Sequence, residues 1–556
     1  MTQAYVQPDP YAVPAPRAGD DDVPTRPTRH LSAGAYLDDR FCRAALNEVY
    51  HQPRRMVAPS YGFDLVTVLS HCKKARVINL ARDGAIVFML ALSACVSFPT
   101  FLLLVVALIQ LQLCVATYRL IRDVVRGLRG GGTVTDFLRL ILRAWAVTGA
   151  FLLSTMLSFY FFAAAAMAAA LAGAGGGFYG EPEPSTGADL LTGASTALSL
   201  LLLAVLCFTP MAANLLKQSR VDTMAPGRGR HTTDAADQRL AEIERQQRGN
   251  VVVYSGYQPF VGSGTELDRW GTAVRLVRRE PNAAATTPES AREFPTITFT
   301  AEELTAWVAE RINRLTGGTA QELLPGLTVE GTVFLAGSET AMLRNQMDRA
   351  QVSAVIANPT TPARYFLAFR VSSWQGELIT NVYVHIAVQG RTLYVDMSSW
   401  ALGPCRSEFR VVDLEGGTGL PAYLRAVKRG IVDAPVTVAR APINLIQAGL
   451  DALHVATRRG AVSPTGVDYG ALMSVRELGS SGTWRNSLIE HDFTKYASII
   501  QRRVLAAVLD FLENQGADVT EFRQRSVNIL NRGIQHFGSG DINNDGAVGD
   551  NAKVTR

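Results

Sequence analysis

Hydrophobic residues follow two different patterns along this chain. Three long stretches, Gly84–Tyr118, Ala144–Gly180 and Leu190–Leu216, contain no Asp, Glu, Lys, Arg or His. About 20 apolar residues span the hydrocarbon of a bilayer, and a charge at its centre costs several kcal/mol. The pattern predicts a membrane domain over 83–216. Beyond residue 250 the apolar positions come in short runs, at spacing two or near 3.6. That predicts a soluble α+β domain.

The charges flanking the apolar stretches suggest a topology. Lys73, Lys74, Arg76 and Arg82 precede the first stretch, and Arg119, Arg122, Arg126, Arg129, Arg139 and Arg143 follow it. Basic flanks favour the cytoplasm, so this stretch reads as a helical hairpin turning at Pro99, with a re-entrant hairpin as the alternative. The loop Gly175–Asp189 carries Glu181, Glu183 and Asp189 but no basic residue, and is expected outside. The expectation is about four transmembrane helices in two hairpins, over 84–98, 100–118, 145–172 and 190–210. Both termini would be cytoplasmic at a bacterial plasma membrane. Arg119, Arg122, Arg126 and Arg129 interleave with apolar residues, which suits a helix lying on anionic lipid. The run Ala163–Ala170 suits close helix packing, within one subunit or in a homo-oligomer. The absence of an intramembrane charge argues against coupled transport.

The other segments are predicted as follows. Residues 1–35 are Pro-rich and expected to be disordered. Residues 36–82 form a cytoplasmic N-terminal segment, and 217–249 a linker with a connecting helix. Residues 250–415 hold the α+β domain, 416–535 are mainly helical, and 536–556 are a disordered Asn/Gly/Asp-rich tail. Thr300 and Glu303 form a capping box ahead of a helix at Ala301–Leu315.

The α+β domain contains an antiparallel meander over Arg364–Trp400. Two-residue turns at Gln375-Gly376 and Gly390-Arg391 fix its register. Val388 then faces Leu393, Ile386 faces Val395, and Phe369 faces Val382, giving one apolar face. On the other face Tyr383 pairs with Ser398 and His385 lies opposite Asp396, with Phe366 and Arg370 alongside. Such a His–Asp pair is expected to raise the imidazole pKa, and it offers either a general base or a structural hydrogen bond. His385 and Asp396 are the catalytic candidates, and no nucleophile accompanies them.

Other motifs carry less chemistry. Gly262-Ser263-Gly264 is Gly-rich but lacks the following Lys-Ser/Thr of a phosphate loop, and reads as a turn. His491-Asp492 matches a pair found in metal-dependent phosphohydrolases, without upstream histidines; Asp492 suits a helix start. Asp541, Asn543 and Asp545 occupy the first ligand positions of an EF-hand loop, but position twelve is Ala552. No metal or cofactor is expected. The six cysteines form no CxxC pair, and suit a reducing compartment. Net charge is +5, too mild to point to nucleic acid.

Val57-Ala58-Pro59-Ser60-Tyr61-Gly62, Asn250–Gly264 and His385–Val395 resemble a family of uncharacterised multi-pass membrane proteins from high-GC, Streptomyces-like actinobacteria. Only six of the 54 basic residues are lysine, a skew expected of a GC-rich genome. The resemblance implies a membrane location and supplies no catalytic residues. The expected function is a membrane-anchored, non-enzymatic protein whose α+β domain binds a partner or ligand. The alternatives are a membrane effector of a bacterial signalling or defence system, and a membrane-tethered hydrolase.

Overall fold

The computed structural model describes residues 24–96, 98–130, 145–146, 148–156, 159–160, 186–226, 237–280, 288–317, 323–324, 326–414, 416–458, 468–482 and 487–531, with single positions at 163, 167 and 484. Two compact units emerge. An α+β unit is drawn from Met1–Cys72, Met224–Asp413 and Val462–Arg556. A helical unit is drawn from Lys73–Thr223 and Leu414–Ala461.

The α+β unit is built on a six-stranded mixed sheet, in the order β1-β3-β4-β5-β6-β2. Its strands are β1 (Val251–Tyr254), β2 (Thr265–Arg275), β3 (Leu327–Ala336), β4 (Arg364–Ser373), β5 (Leu378–Gln389) and β6 (Thr392–Leu402). Only the β1–β3 pair is parallel. The meander register is as expected: Val388 pairs with Leu393, Phe369 with Val382, and His385 with Asp396. The first turn is wider than two residues. Strand pairing ends at Ser373 and Leu378, and Trp374 and Gln375 both adopt positive φ.

Alternation along the strands gives the sheet two unlike faces. Leu335, Leu367, Phe369, Val382, Val384, Val395 and Met397 pack against helices. The chief ones are Ala301–Asn313, which carries the capping box, and Leu488–Asn514. They contribute Leu304, Val308, Ile312, Ile500, Val504 and Val508 to this core. The second of these helices begins four residues before Asp492, with Ser487 as its N-cap. Asp492 does not start a helix. It accepts from Trp374 Nε1 at 3.0 Å and Lys495 Nζ at 2.9 Å.

The expected disordered tail ends earlier than residue 35. Arg26–Leu37 is a helix, with Pro27 in its first turn and every residue from Pro27 to Tyr36 buried. Proline tolerates that position because no backbone donor is needed there. Ala33, Gly34 and Ala35 allow close packing; a Cβ on Gly34 would lie 2.8 Å from the Phe409 ring. Asp39–Ala45 and Gln238–Gln247 are further helices of this unit.

The helical unit contains Leu65–Val96 (from Lys73 onward), Phe98–Gly130, Thr186–Asp222 and Leu420–Arg458. Residue 97, between Leu65–Val96 and Phe98–Gly130, lies outside the described residues, and Pro99 sits in the first turn of the second of these helices. Among the described residues, two helices are long and apolar enough to cross a membrane: Leu65–Cys95 and Leu201–Asp222. Leu104–Tyr118 is shorter. Four membrane helices are therefore not supported; within 145–172 the structure describes 145–146, 148–156, 159–160, 163 and 167, so most of Ala163–Ala170 lies outside the described residues. So do the side chains of Arg119, Arg122, Arg126 and Arg129, and the whole of Asp541, Asn543 and Asp545.

Two further details depart from the sequence expectation. First, Leu420–Arg458 belongs to the helical unit rather than to a helical C-terminal domain. Its Val438 and Ala441 share a core with Ile86, Leu104, Leu202 and Leu206. Second, this helix runs antiparallel to both apolar helices. Gly430 meets Met211 while Gly417 meets Gln218; Asn444 bonds Asp83 while Asp451 pairs with Arg76. The two apolar helices are consequently parallel. Lys73 and Lys217 lie toward opposite ends of the bundle, not on the shared side that the flanking charges suggested.

Candidate functional site

The face of the sheet opposite the two long helices carries the candidate site. Strand register brings Phe334, Arg364, Phe366, His385, Ala387, Tyr394, Asp396 and Arg269 to one side. An open cleft of about 580 Å³ lies there, lined also by Tyr254, Phe260 and Gln389. A second cleft of about 550 Å³ shares Pro259, Phe260 and Arg269 with it and continues toward Trp400 and Trp484.

Phe260 organises the floor of both clefts. Its ring stacks on Tyr383 at 4.8 Å between centroids and lies 5.1 Å from Phe334, 5.3 Å from Phe366 and 5.2 Å from Trp400. Phe260 comes from the loop after β1, so the loop must be held over the sheet. The Gly262-Ser263-Gly264 segment does this. Ser263 Oγ shares a 2.8 Å hydrogen bond with the Tyr383 hydroxyl, which also donates to Tyr61 at 3.2 Å. Gly262 and Gly264 have φ of 92° and 93°, a region only glycine enters without strain. A Cβ on Gly264 would lie 2.1 Å from the Ala401 carbonyl oxygen.

The same two glycines present their N–H groups to one acceptor. Glu477 Oε1 accepts from Gly262 at 2.9 Å and from Gly264 at 2.8 Å. Successive amides of this kind form an anion-binding concavity. Here the anion is a side chain of the protein itself, so the loop is a latch, in keeping with the turn that the sequence suggested. Burial holds the Glu477 carboxyl above its usual range despite these two donors.

His385 and Asp396 are brought opposite one another, as expected, but the imidazole does not use the carboxylate as its acceptor. Its Nδ1 lies 2.8 Å from the Tyr365 carbonyl, which can only accept, so Nδ1 carries the proton. Nε2 is left as the unprotonated nitrogen. The expected rise in pKa is reversed: burial lowers it, outweighing the Tyr365 hydrogen bond and the Asp396 charge. Burial likewise raises Asp396, against Arg269 at 3.7 Å. Gly271 leaves the space that Tyr394 and Asp396 occupy; a Cβ there would lie 2.9 Å from the Tyr394 hydroxyl.

The charge pattern favours an anion with an apolar body. Arg269 is half exposed and faces Asp396 at 3.7 Å. Arg364 is exposed at the other side, anchored by the Pro359 and Thr361 carbonyls. Between them lie Phe334, Phe366 and a tilted Phe366–His385 pair with centroids 5.2 Å apart. Sequence reasoning found His385, Asp396 and Phe366. It missed Arg269, Phe260 and Tyr254, because β2 lies at the far edge of the sheet and Phe260 in a loop. No local spacing links either to the meander.

No curated protein and no solved structure gives a significant match to the chain. A family model, the AbeC-like domain, matches residues 269–546, half of the chain. The match starts at Arg269 inside β2 and takes in Phe334, Arg364, Phe366, His385, Tyr394 and Asp396. It also takes in Leu420–Arg458, whose bundle partners precede it. The chain is a member of the AbeC-like domain family.

Proposed function

We propose that this protein is a membrane-anchored, non-enzymatic binding protein. Its α+β unit takes a small anion with an aromatic body in the cleft over Phe334, Phe366 and His385. The observation that carries the reading is the lining itself: an aromatic floor flanked by Arg269 and Arg364, in a cleft of about 580 Å³. Ligand sites of this size combine an apolar surface with a few placed polar groups. Aromatic faces would hold the ligand's ring and the guanidinium groups its charge. Neutral His385 would offer Nε2 as an acceptor for a ligand N–H or O–H.

Membrane attachment would come from the helical unit. Leu65–Cys95 and Leu201–Asp222 have the required length and composition, and Phe88, Leu92, Leu201 and Phe208 are exposed on them. In the finer reading the bundle is multi-pass.

Calorimetric titration of the detergent-purified protein with adenosine monophosphate, a naphthalenesulfonate and salicylate tests the binding function. Saturable binding of at least one is expected, weakened about tenfold or more by Arg269→Ala, the equivalent of about 1.4 kcal/mol. No saturable binding to any of the three, or binding indifferent to Arg269, Arg364 and Phe366, would sink the reading. Extraction of membranes at alkaline pH tests the anchoring: the protein should stay in the pellet.

A further inference from the structure

A second cluster lies apart from the cleft, where the buried N-terminal helix Arg26–Leu37 meets the start of β5. His30 is 1% exposed, and both its ring nitrogens face carboxylates. Nδ1 lies 2.6 Å from Glu377 Oε1 and Nε2 lies 2.8 Å from Asp413 Oδ2. Cys405 is fully buried beside them, and its backbone N–H donates to Glu377 Oε2 at 2.9 Å. The donor atoms of His30, Glu377 and Cys405 all lie within 4.8 Å of one another.

We propose that His30, Glu377 and Cys405 form a binding site for one divalent transition-metal ion of the zinc type. The donor set is the first argument. One imidazole nitrogen, one thiolate and one carboxylate oxygen suit zinc, with the softer thiolate disfavouring magnesium and calcium. The surroundings are the second. A metal-bound imidazole usually gives its other N–H to a carboxylate, which fixes the ring. Asp413 occupies that place on Nε2, and is itself held by Arg29 at 3.0 Å and Arg26 at 3.1 Å.

A third argument comes from Arg476, fully buried at the same place. Its guanidinium donates to Cys405 Sγ at 3.2 Å and to the Glu377 and Gly403 carbonyls at 2.9 Å. Its Nε has no acceptor among the described residues. The Nη1 bond to Cys405 Sγ would stabilise the thiolate that the ion requires. Coordination through the Cys405 thiolate releases the thiol proton to solvent. The His30–Glu377 contact must widen from 2.6 Å to roughly 3.3 Å for both atoms to sit about 2.0–2.1 Å from one ion.

The test is cobalt titration of the full-length, chelator-stripped protein. One Co²⁺ per chain should bind and give a thiolate-to-metal charge-transfer band in the near ultraviolet, reversed by Zn²⁺. Cys405→Ser should lose the band, whereas Cys42→Ser and Cys72→Ser keep it. Asp413→Asn should weaken zinc affinity about 10- to 100-fold. Zinc should raise the thermal midpoint of the unaltered protein and not of Cys405→Ser. A wild-type protein that binds neither ion, or a band that survives Cys405→Ser, overturns the proposal. The wild-type titration decides even if a variant does not fold.

Discussion

His385 and Asp396 sit directly opposite one another across β5 and β6, yet the imidazole donates its Nδ1–H hydrogen bond to the Tyr365 carbonyl on the neighbouring strand. The pairing places the two side chains together, and burial decides their charge. His385 stays neutral and Asp396 is held above its usual carboxylate range.

A pH dependence follows from that arrangement. The His385 pKa is lower in the folded protein than in the unfolded chain. The unfolded state therefore binds the extra proton first as pH falls below about 6.5. Stability attributable to this residue is fully present above that pH and is lost as pH drops through the folded value. His385→Gln should flatten the acid side of the stability profile, read by thermal melts between pH 7 and 5. A profile as steep as that of the unaltered protein would contradict this.

The Glu477 latch makes a separate prediction. Removing its carboxylate leaves two amides without their acceptor, at about 1–3 kcal/mol for each buried group left unpaired. Glu477→Ala should lower the thermal midpoint by several degrees. It should also create an anion response: inorganic phosphate, occupying the vacated concavity, should raise the midpoint of the variant and leave the original protein unmoved.

Phe260 should behave as a core residue despite its place in a loop. It touches Phe334, Phe366, Tyr383 and Trp400 at once. Phe260→Ala should cost about 3–5 kcal/mol by chemical denaturation, in the range for large-to-small changes in a packed interior. Phe260→Leu should lose less.

Gly430 tests the packing of the helical unit. An added Cβ would come within 2.6 Å of Met211 Cα. Backbone atoms cannot rotate away as a side chain can, so Gly430→Val should separate the two helices. The expected readout is faster proteolysis within Leu420–Arg458, with the melting of the sheet unit little changed.

Local patterns in the sequence were sufficient for some elements and silent on others. Tight turns and period-two alternation revealed the Phe369–Val382 and His385–Asp396 registers, because neighbouring strands joined by short connections pair predictably. The capping box at Thr300 and Glu303 was equally legible. The burial of Arg26–Leu37 was not: its proline and polar residues, following a Pro-rich stretch, resemble a solvated tail, and Phe409, Glu377 and Asp413, which pack on it, lie hundreds of residues away. Nor was the parallel course of the two apolar helices visible, since flanking charge carries no information about which helices touch. The imidazole's direction of shift was misjudged for a related reason. A neighbouring carboxylate can be read from spacing, while the amount of water removed cannot.

The division of the α+β unit into three separate lengths of chain has a consequence for how the protein is made. Its first length ends at Cys72 and its last begins at Val462. His30 is synthesised long before Glu377 and Asp413, its hydrogen-bonded neighbours, and Ile500 and Val504 of the sheet's covering helix emerge later still. No release of a finished N-terminal half during translation can occur. The earliest segment must wait, exposed or guarded by a chaperone, until Leu488–Asn514 has left the ribosome. Removal of Arg26–Leu37 or of Leu488–Asn514 should therefore abolish the unit altogether, whereas an internal deletion joining 72 to 224 and 413 to 462 offers a route to producing it alone.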